Sequence, residues 1–121
     1  MKAFSYALLK AVPRIDRGEC LNVGVILYCQ AASFLDARVH LDTDRLLALD
    51  ASADVTAVRD AADAIKATCG DGGPASAASP GERFRWLTAP RSTIVQPGPT
   101  HAGLADDPEA ELDRLFNQLV R

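Results

Sequence analysis

The sequence predicts an α+β domain: a small antiparallel sheet, made of an N-terminal strand plus a hairpin, packed against about three helices. A fourth short strand near 92–96 is an option. Three observations carry this prediction. Residues 20–29 (CLNVGVILYC) and 33–41 each alternate with period two and are joined by the short Gln30-Ala31-Ala32 link, as a hairpin requires. Residues 43–69 switch to helical spacing. Residues 107–119 carry a complete helix-start signal followed by an apolar stripe.

Each element follows in order. Phe4–Val12 alternates loosely, lacks Gly and Pro, and stops at Pro13, so it reads as the first strand. Arg14–Glu19 is a polar loop with Gly18 as its turn residue. In the next strand Leu21, Val23, Val25, Leu27 and Cys29 form one apolar row. Its other face, Cys20, Asn22, Gly24, Ile26 and Tyr28, is mixed, which predicts a sheet backed by helices on one side. In 33–41, Leu35, Ala37, Val39 and Leu41 should be buried, leaving Asp36, Arg38 and His40 in water. His40 then reads as a surface residue in a polar row.

Asp42 or Thr43 can cap a short helix through Leu46, Leu47 and Leu49. Asp54 caps a longer one with Val55, Val58, Ala62 and Ile65 on one stripe and Gly70 as its stop. Residues 70–81 (GDGGPASAASPG) have the composition of a flexible loop, without the lysine or strand–loop–helix setting of a phosphate cradle. Asp107 precedes Pro108, Glu109 and Glu111 suit the first turn, and Leu112, Leu115, Phe116 and Leu119 make a docking stripe.

At 121 residues the chain reads as one domain, long enough to bury roughly two thirds of its unfolded surface. With 48% apolar and 24% charged residues it has ordinary globular usage. The net charge of −3 supplies no basic field, so no nucleic-acid partner is expected. Met1–Ala11 interleaves Lys2, Ser5 and Lys10 with apolar residues and does not resemble a signal peptide, and no apolar run could span a bilayer. No membrane association and a cytoplasmic location are expected. Cys20, Cys29 and Cys69 make an odd count that fits a reducing compartment, where each is expected to act as a small buried hydrophobe.

The segment 83–104 concentrates unusual side chains: Arg83, Arg85, Trp86, Arg91, His101 and three prolines. Phe84, Trp86 and Leu87 read as core, and Thr93-Ile94-Val95 as a β-prone run that can extend a sheet edge. Arg91 supports two readings. In one, its planar fork grips an anion, with Ser92, Thr93 and Gln96 completing the shell and Asn22 contributing across the sheet. In the other, it ties the proline-rich segment to acids such as Glu19 or Asp16. Arg85, between two apolar neighbours, and His101, on a loop, complete the candidates. Ser92, His101 and Asp106 or Asp107 can be drawn as a catalytic trio, but the glycines of a nucleophile elbow are missing. No spacing suggests a metal site, and no cofactor is expected.

Glu19–Cys29 (ECLNVGVILYC), Phe34–Val39 (FLDARV) and residues 83–116 resemble the bacterial family known as domain of unknown function 3037, from Tyr6 to Leu119. The resemblance implies no reaction. It implies small cytoplasmic proteins and a partnership with a HipA-like serine/threonine kinase encoded nearby. The matched positions are Glu19, Asn22, Val23, Gly24, Arg91 and Ser92. The leading expectation is therefore a non-enzymatic accessory or regulatory module that binds such a kinase. The alternative is a small-molecule or nucleotide-processing enzyme with an arginine-lined anion site in 83–104, and a homodimer pairing by a sheet edge or the last helix is a third reading.

Overall fold

Lys2–Ala11 forms β1, ten residues free of glycine and proline that run through the middle of the sheet. The computed structural model describes residues 1–70 and 78–121. Leu21–Cys29 (β2) pairs antiparallel with one side of β1, and Phe34–Val39 (β3) pairs with β2 beyond a single 3-10 turn at Gln30–Ala32. Val95–Pro97 (β4) and His101–Ala105 (β5) occupy the other side of β1. They lie end to end: Ala11 opposes Val95 and Leu9 opposes Pro97, then Tyr6 opposes His101 and Lys2 opposes Ala105. The Gly98 N–H donates to the Leu8 carbonyl at 2.8 Å between them, so the edge is one strand broken once around Pro99. Prolines withhold ladder donors, and an edge is where a sheet tolerates them. The expected β-prone run is thus the start of a longer edge than residues 92–96.

One irregularity reshapes the expected faces. Leu9 opposes Gly24 while Lys10 opposes Asn22, so Val23 is an extra residue in β2, a β-bulge. The predicted apolar row therefore splits. Leu21 and Val23 face one layer, while Val25, Leu27 and Cys29 face the other. Gly24 sits beside the bulge because a Cβ there would stand 2.8 Å from the Arg38 carbonyl oxygen, closer than real Cβ contacts.

Helices cover both faces, a correction to the one-sided packing expected from sequence. Thr43–Leu49 (α1) and Val55–Cys69 (α2) are capped by Asp42 and Asp54, whose carboxylates accept from Arg45 N–H and Ala57 N–H. Pro80–Leu87 (α3) starts within the segment read as loop: Ser79 caps it, accepting from Glu82 N–H, and Pro80 takes the first turn. The rest of that expected loop, 71–77, lies outside the described residues. These three helices pack on Leu9, Val23 and Ile26 through Leu46, Val58, Phe84 and Leu87. Complete burial of each such side chain contributes about 1.5–3 kcal/mol. Arg83, 7% exposed, joins the end of α2 to the start of α3, donating to the Cys69 carbonyl at 3.3 Å and the Ala78 carbonyl at 2.6 Å.

Pro108–Leu119 (α4) covers the opposite face, its Leu112 and Leu115 packing with Phe4, Val25 and Leu27. Asp107 accepts from Glu109 and Ala110 N–H at the start of α4, as expected. Because α4 crosses the row that includes Asp36 and Arg38, these two are half-buried and ion-paired instead of lying in open water. Arg38 meets Asp36 at 2.6 Å, Asp113 at 3.0 Å and Glu109 at 3.5 Å, and Lys66 of α2 reaches Asp36 at 3.6 Å over the β3 edge. Lys66 also donates to the Ala37 carbonyl at 2.8 Å, covering that open edge. His40 is exposed, as expected.

Candidate functional site

The candidate residues separate into two places. The first is the C-terminal end of α3. Helical spacing turns Phe84 and Leu87 inward and Arg85 and Trp86 outward, so Trp86 is 59% exposed and not core as expected. Pro90 follows the helix, and Arg91 folds back over its end. The Arg91 Nη2 donates to the Trp86 carbonyl, its Nε donates to the Ala89 carbonyl at 3.3 Å, and its guanidinium carbon lies 5.4 Å from the Trp86 ring centroid. A cation at this end also meets the negative pole of the helix dipole. Among the described residues, neither Arg85 nor Arg91 forms an ion pair, so both keep their positive charge on offer. Arg91 therefore acts as a brace for the helix end with one face turned to solvent.

The second place is the part of the α4 face that belongs to β1, β4 and β5. Directly opposed residues share a face, so Asn22, Lys10 and Gln96 form a polar row across β2, β1 and β4. Ser92 and Cys20 lie at its end, where they line a groove of about 320 Å³ with Lys10, Gln96 and Gly98. Farther along the same face His101, which opens β5 and is not on a loop as expected, lies tilted against Tyr6, ring centroids 5.2 Å apart. The Asn22 amide donates to the Leu119 carbonyl at 3.1 Å, closing the last turn of α4.

The seven residues marked from sequence thus do not converge. Arg91 belongs to the α3 end, while the Arg85 guanidinium turns back towards Gly81 at the start of that helix; Ser92 and Gln96 belong to the groove; Asn22 serves the α4 terminus; His101 lies against Tyr6. Glu19 is held by Arg17 at 2.6 Å, and Asp16 by Arg14 at 2.8 Å, so neither acid reaches Arg91. Sequence reasoning missed Lys10, whose signal was a single lysine ending the row Phe4, Tyr6, Leu8.

Electrostatic perturbations lie elsewhere. The Arg14 hydrogen bond holds the Asp16 carboxyl below the usual aspartate range, and hydrogen bonds from Ser52 do the same for Asp50. Burial pushes the Cys69 thiol up to about 12, which makes it an unreactive hydrophobe at neutral pH. Cys29 is likewise buried, but Cys20 is exposed, contrary to expectation, because β2 begins only at Leu21. Among the described residues no group of three His, Cys, Asp or Glu side chains is placed to hold a metal ion, and no helix is long and apolar enough to cross a membrane. The arrangement offers fixed cations, an aromatic face and uncharged donors, which is equipment for binding.

Comparison with curated proteins and with solved structures finds no match. The profile of one family, described as protein of unknown function (DUF3037), matches residues 6–120, nearly the whole chain, and the chain belongs to that family.

Proposed function

We propose that the chain is a non-enzymatic accessory module of the cytoplasm that binds a partner protein through the end of α3, the partner being a HipA-like serine/threonine kinase. The observation that carries this reading is Trp86, 59% exposed on a helix whose Phe84 and Leu87 are locked in the core, with Arg91 lying over its ring. Trp and Arg dominate the residues that carry most of an interface's binding energy. Here both are already ordered by the helix end, so docking costs little side-chain entropy. Arg91 sets a positive charge beside the Trp86 ring on an acidic chain, which suits an acidic or phosphorylated segment of the partner. An arginine-lined anion pocket for a small-molecule or nucleotide-processing enzyme draws less support, because two Arg91 nitrogens already serve backbone carbonyls.

Co-expression with the neighbouring kinase and affinity purification at about 0.15 M salt, where surface attractions are screened beyond about 8 Å, tests the proposal. A stable complex is expected, weakened at least tenfold by Trp86→Ala, since a hot-spot truncation costs about 2 kcal/mol or more. Absence of a complex, or one indifferent to both Trp86→Ala and Arg91→Ala, rules it out.

A further inference from the structure

The loop beside the groove, Arg14–Glu19, is internally neutralised: Arg14 with Asp16 and Arg17 with Glu19. Lys10 is left over. It is half-buried, and among the described residues its ammonium group enters no ion pair and no hydrogen bond. Its stem lies across Gly98, where a Cβ would stand 3.3 Å from Lys10 Cε and 3.7 Å from Nζ. A cation held this way, on the central strand and without an ion-pair partner among the described residues, is set up to meet an anion that comes from outside the chain.

The neighbours of Lys10 say which anion. Ser92 and Gln96 line the same groove, and their side chains make no hydrogen bond to the described residues. The residues lining the groove thus include an ammonium, a hydroxyl and a carboxamide, three separate kinds of donor. Such a set matches the three terminal oxygens of a phosphate better than the two coplanar oxygens of a carboxylate, which a guanidinium fork fits. Val12, Ile15 and Pro97 supply an apolar wall beside these donors, and Ile15 is 56% exposed. Its volume of about 320 Å³ reaches the lower end of the size of ligand pockets, which begins at roughly 300 Å³.

We propose that this groove binds the phosphate monoester of a small organic molecule, with Lys10, Ser92 and Gln96 on the phosphate and Val12, Ile15 and Pro97 against the organic group. The site is separate from the α3 end, so it stands or falls independently of partner docking there.

The test is a titration of the full chain, followed by amide nitrogen–proton correlation spectra, with phenyl phosphate, inorganic phosphate and benzoate as probes. Phenyl phosphate should give saturable shifts centred on Lys10, Ser92, Gln96 and Gly98, with inorganic phosphate weaker and benzoate weakest. Lys10→Met keeps the stem over Gly98 and removes the charge, and should weaken phenyl phosphate about tenfold or more, as losing a charged hydrogen bond does. Ser92→Ala, at an exposed position, should weaken it by a smaller factor, and Trp86→Ala should leave it unchanged. Should Lys10→Met unfold the chain, the Ser92→Ala result and the location of the shifts decide. Shifts that do not saturate, equal affinity in Lys10→Met and Ser92→Ala, or tighter binding of benzoate than of phenyl phosphate would overturn the proposal.

Discussion

The two faces of the sheet are built from similar strands yet are finished differently. One face is sealed by α1, α2 and α3 over Leu9, Val23, Ile26 and Ala37, all fully buried. The other is closed over β2 and β3 by α4, while its β1 and β4 side carries the half-buried Tyr6, Leu8 and Lys10 beside an open groove. The contrast teaches where this chain keeps its stability and where it has room for something else. Adjacent residues of one strand, Leu8 and Leu9, fall on either side of that divide.

That pair gives the largest expected effect. Leu9→Ala should destabilise the fold by about 3 kcal/mol, because a fully buried leucine loses its transfer energy and leaves a cavity among packed helices. Leu8→Ala, at a partly buried position, should cost about 1 kcal/mol, the loss expected where much of the side chain already meets water. Urea unfolding of both variants checks this. Equal losses would erase the distinction between the faces.

A smaller effect sharpens the role of α4. Arg38→Met keeps the aliphatic stem but removes the charge that joins Asp36 on β3 to Asp113 and Glu109 on α4. Among the described residues, Asp36 would keep only Lys66 and the Ala37 N–H. A loss of about 1 kcal/mol is expected, the scale of partly exposed ion pairs that act as a network. The loss should shrink in high salt, and a wild-type unfolding midpoint for Arg38→Met would show that the hold on α4 does not depend on this ion-pair network.

Much of the fold was legible because its signals are local. Asp42, Asp54 and Asp107 cap the helices expected of them, and the helix at Pro108 follows from one tripeptide and a stripe. The bulge at Val23 was not legible: an inserted valine among apolar neighbours leaves the composition of the strand unchanged while moving half its side chains to the other face. The start of α3 was written as Ser79-Pro80-Gly81-Glu82, but the surrounding Gly, Pro and Ser matched a loop equally well. Trp86 was expected in the core from its residue type, whereas helical spacing separates it from Phe84 and Leu87. Of the candidate site, Ser92 and Gln96 were found from residue type, whereas Lys10 was not. Its exposure depends on how far α4 reaches across β1, a long-range outcome that no window of sequence contains.

The smallest effect concerns the exposed flank of α4. Arg114 donates to Glu111 through Nε at 2.6 Å and Nη2 at 2.8 Å, and these bonds hold the Glu111 carboxyl below its ordinary value of 4.5. The folded state therefore gives up its proton more readily than the unfolded chain. Stability from this pair is fully present above the ordinary glutamate value and is lost as pH falls through it towards the folded one. Asp16 and Asp50 are shifted the same way, so Glu111→Gln should remove only part of the acid-side loss. Melting temperatures from about pH 6 to about pH 3 should show wild type slightly more stable at the top of this range and the two proteins converging at the bottom. Parallel curves would mean that the Arg114 bonds hold no advantage in the folded state over the unfolded one.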